Sequence, residues 1–195
     1  MDFFLTIILA VIAYFLGSIS FSYIITKKST GRDIRKIDIK NAGALNVLLN
    51  VDKKIGIIVG LLDIAKTLVI VLTGEALGLS PYAVIIAASF GVVGHCFPIY
   101  YKFYGGKGAA SVMGILIYYI PLELIISALP ALLIAYLIRR VGVTPVFMFL
   151  FSPVFTYIFD NPMSLFLAVT YLVVLTGIMN IVIICMKRES KVSNH

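Results

Sequence analysis

Apolar runs of bilayer-spanning length constrain this chain more than any other feature. A helix needs about 20 residues to cross the hydrocarbon core, and within that core only a helix or a closed barrel satisfies its own backbone groups. Spans are therefore predicted near residues 3–26, 55–74, 80–101, 109–120, 122–138, 141–159 and 162–186. The fourth is too short to cross by itself and is expected to extend back into the glycine-rich loop before it or to be partly re-entrant. The first follows Asp2 with no basic leader, so it reads as a span and not as a cleaved signal.

Composition agrees. The 195 residues are 61% hydrophobic and 13% charged, with a mean hydropathy of +1.07, whereas soluble domains run at about 45–50% apolar and about 25% charged. The fold class expected is an all-α integral membrane protein of about seven transmembrane helices, a single domain over 1–195.

Charge fixes an expected orientation. The loops on one side of the proposed spans carry Lys27, Lys28, Arg32, Arg35, Lys36, Lys40, Lys53, Lys54, Lys102, Lys107, Arg139, Arg140, Lys187, Arg188 and Lys191; the other side carries Asp2, Glu75, Glu123 and Asp160. The positive-inside rule then places the N-terminus outside and the C-terminus in the cytoplasm, which needs an odd number of spans. This bias accounts for the net charge of +7 without nucleic acid. Cys96 and Cys185 lie in apolar stretches, in no spacing that builds a disulfide framework or a zinc site, so no metal is expected.

The densest group of chemistry-bearing residues runs from Gly94-His95 to Gly105-Gly106-Lys107-Gly108. Glycines allow close backbone approach, successive N–H groups make an anion cradle, and a helix starting near Ala109 adds its N-terminal dipole. Known phosphate loops do not fit: a P-loop needs Gly where Tyr101 stands, and a dinucleotide loop needs a third Gly where Ser111 stands. Asp63 and Lys66, three apart in the second span, share one helix face. Ionisable residues inside a span mark either function or an internal pair. In the first polar loop, Asn41, Gly43 and Asn46 suggest a tight turn with amides able to hold hydroxyl or phosphate oxygens.

Taken together, Gly17-Ser18-Ile19-Ser20-Phe21, Asp33-Ile34-Arg35, Asn41-x-Gly43-Ala44-x-Asn46, Leu62-Asp63-x-x-Lys66 and the His95 to Gly108 block resemble the acyl-phosphate-dependent glycerol-3-phosphate acyltransferases of bacteria, the PlsY family. The Gly-His-x-Phe-Pro to Gly-Gly-Lys-Gly block is complete, whereas Ile39, Leu45 and Leu49 depart from a second motif that has Ser, Thr and Arg there. After the fifth span, Thr144 supplies a hydroxyl where the family has a serine-containing segment.

The resemblance implies a multi-pass protein of the bacterial inner (cytoplasmic) membrane, with acyl phosphate, glycerol 3-phosphate and membrane lipid as partners and no cofactor. It implies transfer of an acyl group to the 1-hydroxyl of glycerol 3-phosphate. Lys107 and Asn46 are then expected as catalytic residues, and Gly105, Gly106, Gly108, Asn41, Gly43, Arg35, Lys40, His95 and Ser18 as substrate-binding ones. A diverged relative without efficient acyl transfer, prompted by the altered second motif, and a small transporter, prompted by Asp63 and Lys66, are the alternatives. The transporter reading lacks a visible internal repeat.

Overall fold

Start and stop signals in the sequence cut the apolar runs into nine helices among the described residues. A computed structural model describes residues 2–192, with side chains through Met186, so the side chains of Lys187, Arg188 and Lys191 lie outside it. Every regular element among the described residues is helical: α1 (Asp2–Gly17), α2 (Phe21–Thr30), α3 (Ala44–Asn50), α4 (Lys53–Ala76), α5 (Pro81–Cys96), α6 (Ala109–Tyr119), α7 (Pro121–Ile138), α8 (Thr144–Ile158) and α9 (Met163–Val192), with short 3₁₀ turns between some of them. The caps follow the sequence. The Asp52 side chain accepts from Ile55 N at 2.9 Å to open α4, Ser80 precedes Pro81 at the start of α5, and Gly108 at φ +82° opens α6.

The structure differs from the predicted spans in two places. Among the described residues six segments are long and apolar enough to cross a bilayer: Asp2–Thr30, Lys53–Ala76, Pro81–Tyr101, Pro121–Ile138, Val141–Ile158 and Met163–Met186. The expected fourth span is the 11-residue α6, about 16 Å long at 1.5 Å per residue, roughly half the hydrocarbon thickness. The odd parity that would put the termini on opposite sides therefore depends on α6.

The second difference lies in the first span, which breaks between Gly17 and Phe21. Ser20 takes an extended conformation, φ −93° and ψ 91°, and caps α2 by accepting from Tyr23 N. The break removes the helical partners of the Gly17 and Ile19 carbonyls, and both are taken up by Lys66 Nζ, at 3.0 and 3.1 Å.

Small residues let the helices touch. On α1 and α5, Ala10, Ala13, Ala87 and Ala88 are buried together, and Gly94 sits so close to α1 that a Cβ there would run into Tyr14 O and lie 2.9 Å from Ser18 N. Between α4 and α6, Thr67 Oγ1 donates to Ser111 O at 2.7 Å. Large apolar side chains such as Ile8, Leu61, Leu129, Leu150 and Val174 point outward, the inverse of a soluble fold and the arrangement lipid tails accept. Small interior residues and apolar exterior ones are how membrane helices associate.

Candidate functional site

The polar end of the bundle is built from the 31–43 loop, α3 and the glycine-rich loop. Ile34, Ile37, Ala42 and Val47 form a small core beneath the first loop. Fully buried Asn46 holds it: its Nδ2 faces the carbonyls of Ile34 at 3.0 Å, Ile37 at 3.1 Å and Asn41 at 2.9 Å, and its Oδ1 accepts from Asn50 Nδ2 at 2.9 Å. Its polar atoms are thus engaged within the protein, where Asn46 fastens the loop. Gly43 is the N-terminal cap of α3, with no side chain to close it. Buried Asn41 has an Oδ1 with no hydrogen-bond partner.

Arg35 is clasped on three sides. Its Nη2 meets Asp33 Oδ2 at 2.7 Å and its Nε meets Asp33 Oδ1 at 3.0 Å, Nη1 donates to Tyr101 O at 3.2 Å, and the guanidinium lies 4.7 Å from the centroid of the Tyr23 ring. The Asp33 carboxyl is held below its usual range by the hydrogen-bonded Arg35, whose own pKa is raised in return.

The glycine-rich loop leans on this base. Ala42 N donates to Gly105 O at 3.2 Å, and Gly106 N donates to His95 O at 3.1 Å. The Gly106 N–H, expected to cradle an anion, is therefore already used. A Cβ on Gly106 would collide with His95 Nε2 and come within 2.8 Å of Ala42 O, so only glycine fits. Beyond it, the first intrahelical turn of α6 closes from Val112 N to Gly108 O at 2.9 Å, leaving the amides at the start of α6 without acceptors. Lys107 is exposed beside them, and its carbonyl accepts from Asn180 Nδ2 of α9 at 3.1 Å. The anion-type donors not already used are thus Lys107 and the amides at the α6 N-terminus that follows Gly108.

A buried charge cluster lies behind the loop. Lys66 Nζ is 2.8 Å from Asp63 Oδ1 and 3.0 Å from His95 Nδ1, in addition to the Gly17 and Ile19 carbonyls. Asp63 is 1% exposed and Lys66 4%, so this pair is an internal fastening. Ser18 is fully buried and donates to Tyr14 O at 2.8 Å, within α1.

A cavity of about 200 Å³ opens between these parts. Its lining combines the charged Asp33, Arg35, Lys36 and Lys40 with Tyr104 and Gly105 and the apolar Cys96, Phe103, Ile183 and Met186. Of the residues singled out from sequence, the cavity gathers Arg35, Lys40 and Gly105. His95, Gly106 and Asn46 support it from behind, Lys107 and Gly108 lie outside its lining, and Ser18 belongs to the helix packing. Sequence reasoning missed Lys36, Tyr23, Tyr101 and Asn180. An amide inside the apolar α9 was a readable signal, since a polar group in a span needs a partner.

Membrane-length helices beside a cavity lined by both charged and apolar side chains define a multi-pass membrane protein. Comparison with known proteins narrows this: the family described as glycerol-3-phosphate acyltransferase matches residues 7–190, and the chain belongs to that family. The glycerol-3-phosphate acyltransferase of Mycoplasma capricolum is 38% identical over 173 residues, covering 85% of this chain and 67% of that protein. That of Mycoplasma mycoides is 39% identical over 152 residues, covering 74% and 59%, and that of Pseudomonas putida strain GB-1 is 38% identical over 134 residues, covering 68% and 70%. The match to the M. mycoides protein thus spans under two thirds of its length. Among solved structures, the glycerol 3-phosphate form of PlsY, an integral membrane glycerol 3-phosphate acyltransferase, superposes with a TM-score of 0.77 at 27% identity, covering 94% of this chain and 93% of that one. Its lysophosphatidic acid form superposes equally well, at 26% identity.

Proposed function

We propose that the chain acylates glycerol 3-phosphate, taking the acyl group from acyl phosphate and forming 1-acyl-glycerol 3-phosphate and inorganic phosphate. The observation that carries this reading is the cavity, whose Arg35, Lys36 and Lys40 suit a phosphate and whose apolar lining residues suit an acyl chain. The 1-hydroxyl oxygen attacks the acyl carbonyl, the bond from that carbon to the phosphate oxygen breaks, and the departing phosphate takes the hydroxyl proton. An acyl phosphate is already activated, so positioning and charge stabilisation can supply the catalysis and no protein nucleophile is needed.

Arg35, Lys36 and Lys40 attract glycerol 3-phosphate, while Lys107 and the first amides of α6 stabilise the leaving phosphate. Asn41, Gly43 and Asn46 shape the loop between them, and Gly105, Gly106 and Gly108 allow the backbones to meet. On this reading the protein sits in the bacterial inner membrane, with its basic loops and site in the cytoplasm and its N-terminus outside, as one domain over 1–195. A second reading, a relative that keeps the fold and anion site without efficient acyl transfer, draws on Ile39, Leu45 and Leu49. Transport loses its main support, because Asp63 and Lys66 partner each other.

The test is inorganic phosphate release from acyl phosphate by protein in lipid, with and without glycerol 3-phosphate. A charge-assisted contact is worth about 1.5–3 kcal/mol, so Lys107→Ala should lower kcat/KM by roughly one to two powers of ten while helix content is kept. No glycerol-phosphate-dependent release from folded wild-type protein favours the second reading.

A further inference from the structure

The buried ammonium of Lys66 carries three hydrogens, and the structure supplies three acceptors for them: Gly17 O at 3.0 Å, Ile19 O at 3.1 Å and His95 Nδ1 at 3.0 Å. Asp63 Oδ1 lies 2.8 Å from Nζ and 3.5 Å from His95 Nδ1, accepts no well-directed hydrogen bond and contributes through its charge, the ammonium being the nearer partner of the ring nitrogen. A lysine ammonium can only donate, so the ring nitrogen facing it is the bare one. The ring hydrogen of His95 then sits on Nε2, the tautomer being set by the partner of the other nitrogen. That edge of the ring abuts Gly106. Among the described residues nothing accepts from Nε2, although His95 is only 6% exposed. That N–H has no partner within the described residues, and it lies beside the loop that carries Lys107 and the open start of α6.

We propose that Lys66 is a positioning residue: by donating to Nδ1 it fixes His95 as the Nε2–H tautomer, and that N–H donates to a phosphate oxygen seated at the Gly105 to Gly108 loop. The inference deepens the acyltransferase reading and rests on it for the identity of the phosphate. Lys66 thereby also ties the break between α1 and α2 to the glycine-rich loop, because one ammonium holds both. An ionisable group buried in a span is expensive to keep, and here it settles two carbonyls and one ring orientation.

The sequence contains two histidines, His95 and His195, so His195→Ala leaves a single ring to observe. The experiment records ¹⁵N spectra of histidine-labelled full-length protein in lipid bilayers, with inorganic phosphate as the probe. The expected result is a bare Nδ1 and a protonated Nε2, with phosphate shifting the Nε2 signal and leaving Nδ1 nearly unmoved. An Nδ1–H tautomer or an imidazolium in the wild type overturns the assignment. An Nε2 signal indifferent to phosphate, in protein that still turns over, overturns the donor role and leaves acyl transfer standing. Absence of turnover with the expected spectrum sinks the acyltransferase reading and leaves the tautomer intact.

Kinetics supply the second arm. A glutamine amide can present N–H near the Nε2 position without any tautomer to fix, so His95→Gln should retain about a tenth or more of kcat/KM, where His95→Leu loses about a hundredfold. Lys66→Met should cost at least about threefold less in the His95→Gln background than in the wild type, the signature of two residues acting through one contact. Equal losses in both backgrounds refute a role through His95. Should Lys66→Met not fold, the wild-type spectrum and the comparison of glutamine with leucine at position 95 decide the matter.

Discussion

Asn46→Asp replaces one NH₂ by oxygen at nearly constant shape, and the structure sets the cost. In the wild type two amide hydrogens serve the carbonyls of Ile34, Ile37 and Asn41, all within 3.1 Å. The variant turns an oxygen on all three. Each buried polar group left unsatisfied costs about 1–3 kcal/mol, so losing two hydrogens costs about 2–6 kcal/mol. The spans do not depend on these bonds, so the loss should appear as local opening of residues 33–43 and not as global unfolding. At 1.4 kcal/mol per tenfold, amide exchange in that loop should rise by roughly one and a half to four powers of ten, with α4, α5 and α9 unchanged, and phosphate release should fall with it. Lowering the pH protonates the introduced carboxyl and restores one donor, so exchange should slow towards acid. Hydrogen exchange with peptide-level readout in lipid measures both effects. Wild-type exchange across 34–43 in the variant would refute the role of Asn46 as the fastening of the loop.

Gly106→Ala places a methyl group against His95 Nε2 and Ala42 O, so phosphate release should fall about a hundredfold or more, because the site is no longer correctly positioned, while circular dichroism stays helical. Gly94→Ala pushes a methyl into Tyr14 O and should cost about 1–3 kcal/mol through overpacking; Gly177→Ala, with nothing within 4 Å of its new Cβ, should leave Tm unchanged or raised, and comparable losses in both would rule out close α1–α5 approach as the cause. Because Arg35 depresses the Asp33 pKa, the stabilisation from this pair is complete above the ordinary carboxylate pKa of about 4 and lost as pH falls through the lower folded-state value. Exchange of residues 33–37 should therefore accelerate only in strong acid, and Asp33→Asn should exchange fast at neutral pH with no acid limb. Leu49 is exposed on α3 and does not line the cavity, so Leu49→Arg should change the KM for glycerol 3-phosphate less than about threefold, whereas Lys36→Ala should raise it about tenfold, the scale of one charge-assisted hydrogen bond.

Features that depend on counting were legible in the sequence. Bilayer-length apolar runs gave the helical class and most span limits, because the physics of a span is local to its own residues. The glycine-lysine block could be placed before a helix because glycines and a helix start are likewise local. The break at Ser18 to Ser20 was only marked, by Gly17, Ser18 and Ser20 within the first span, because what holds it open is Lys66, 46 positions after Ser20 in the sequence. For the same reason Asp63 and Lys66 could be read as a pair on one helix face but not as the clasp of α1 and α2. The hydrogen bond from Gly106 N to His95 O was not legible, because that acceptor comes within reach only once Pro98 to Tyr101 has turned the chain back on itself.

The positions where the chain departs from the family pattern are related in space. Leu45 Cδ2 comes within 3.5 Å of a Cβ built on Gly142, so α3 packs on the turn Val141–Val143 that follows α7. That turn belongs to the other segment in which hydroxyls are fewer than the resemblance implies, and the hydroxyl it keeps, Thr144 Oγ1, is buried without a partner. Replacing a polar side chain by an apolar one on one side only would leave its former partner unsatisfied at about 1–3 kcal/mol; apolar replacement on both sides avoids most of that cost, and Thr144 is the residue where it has not been avoided. The cationic part of the cavity lining stands elsewhere, on Arg35, Lys36 and Lys40. Position 49 contributes nothing to that lining, so a leucine there is compatible with a charged site that the 31–43 loop builds by itself. The altered motif therefore bears first on how α3 packs against its neighbour and only through that packing on how the loop presents its cations.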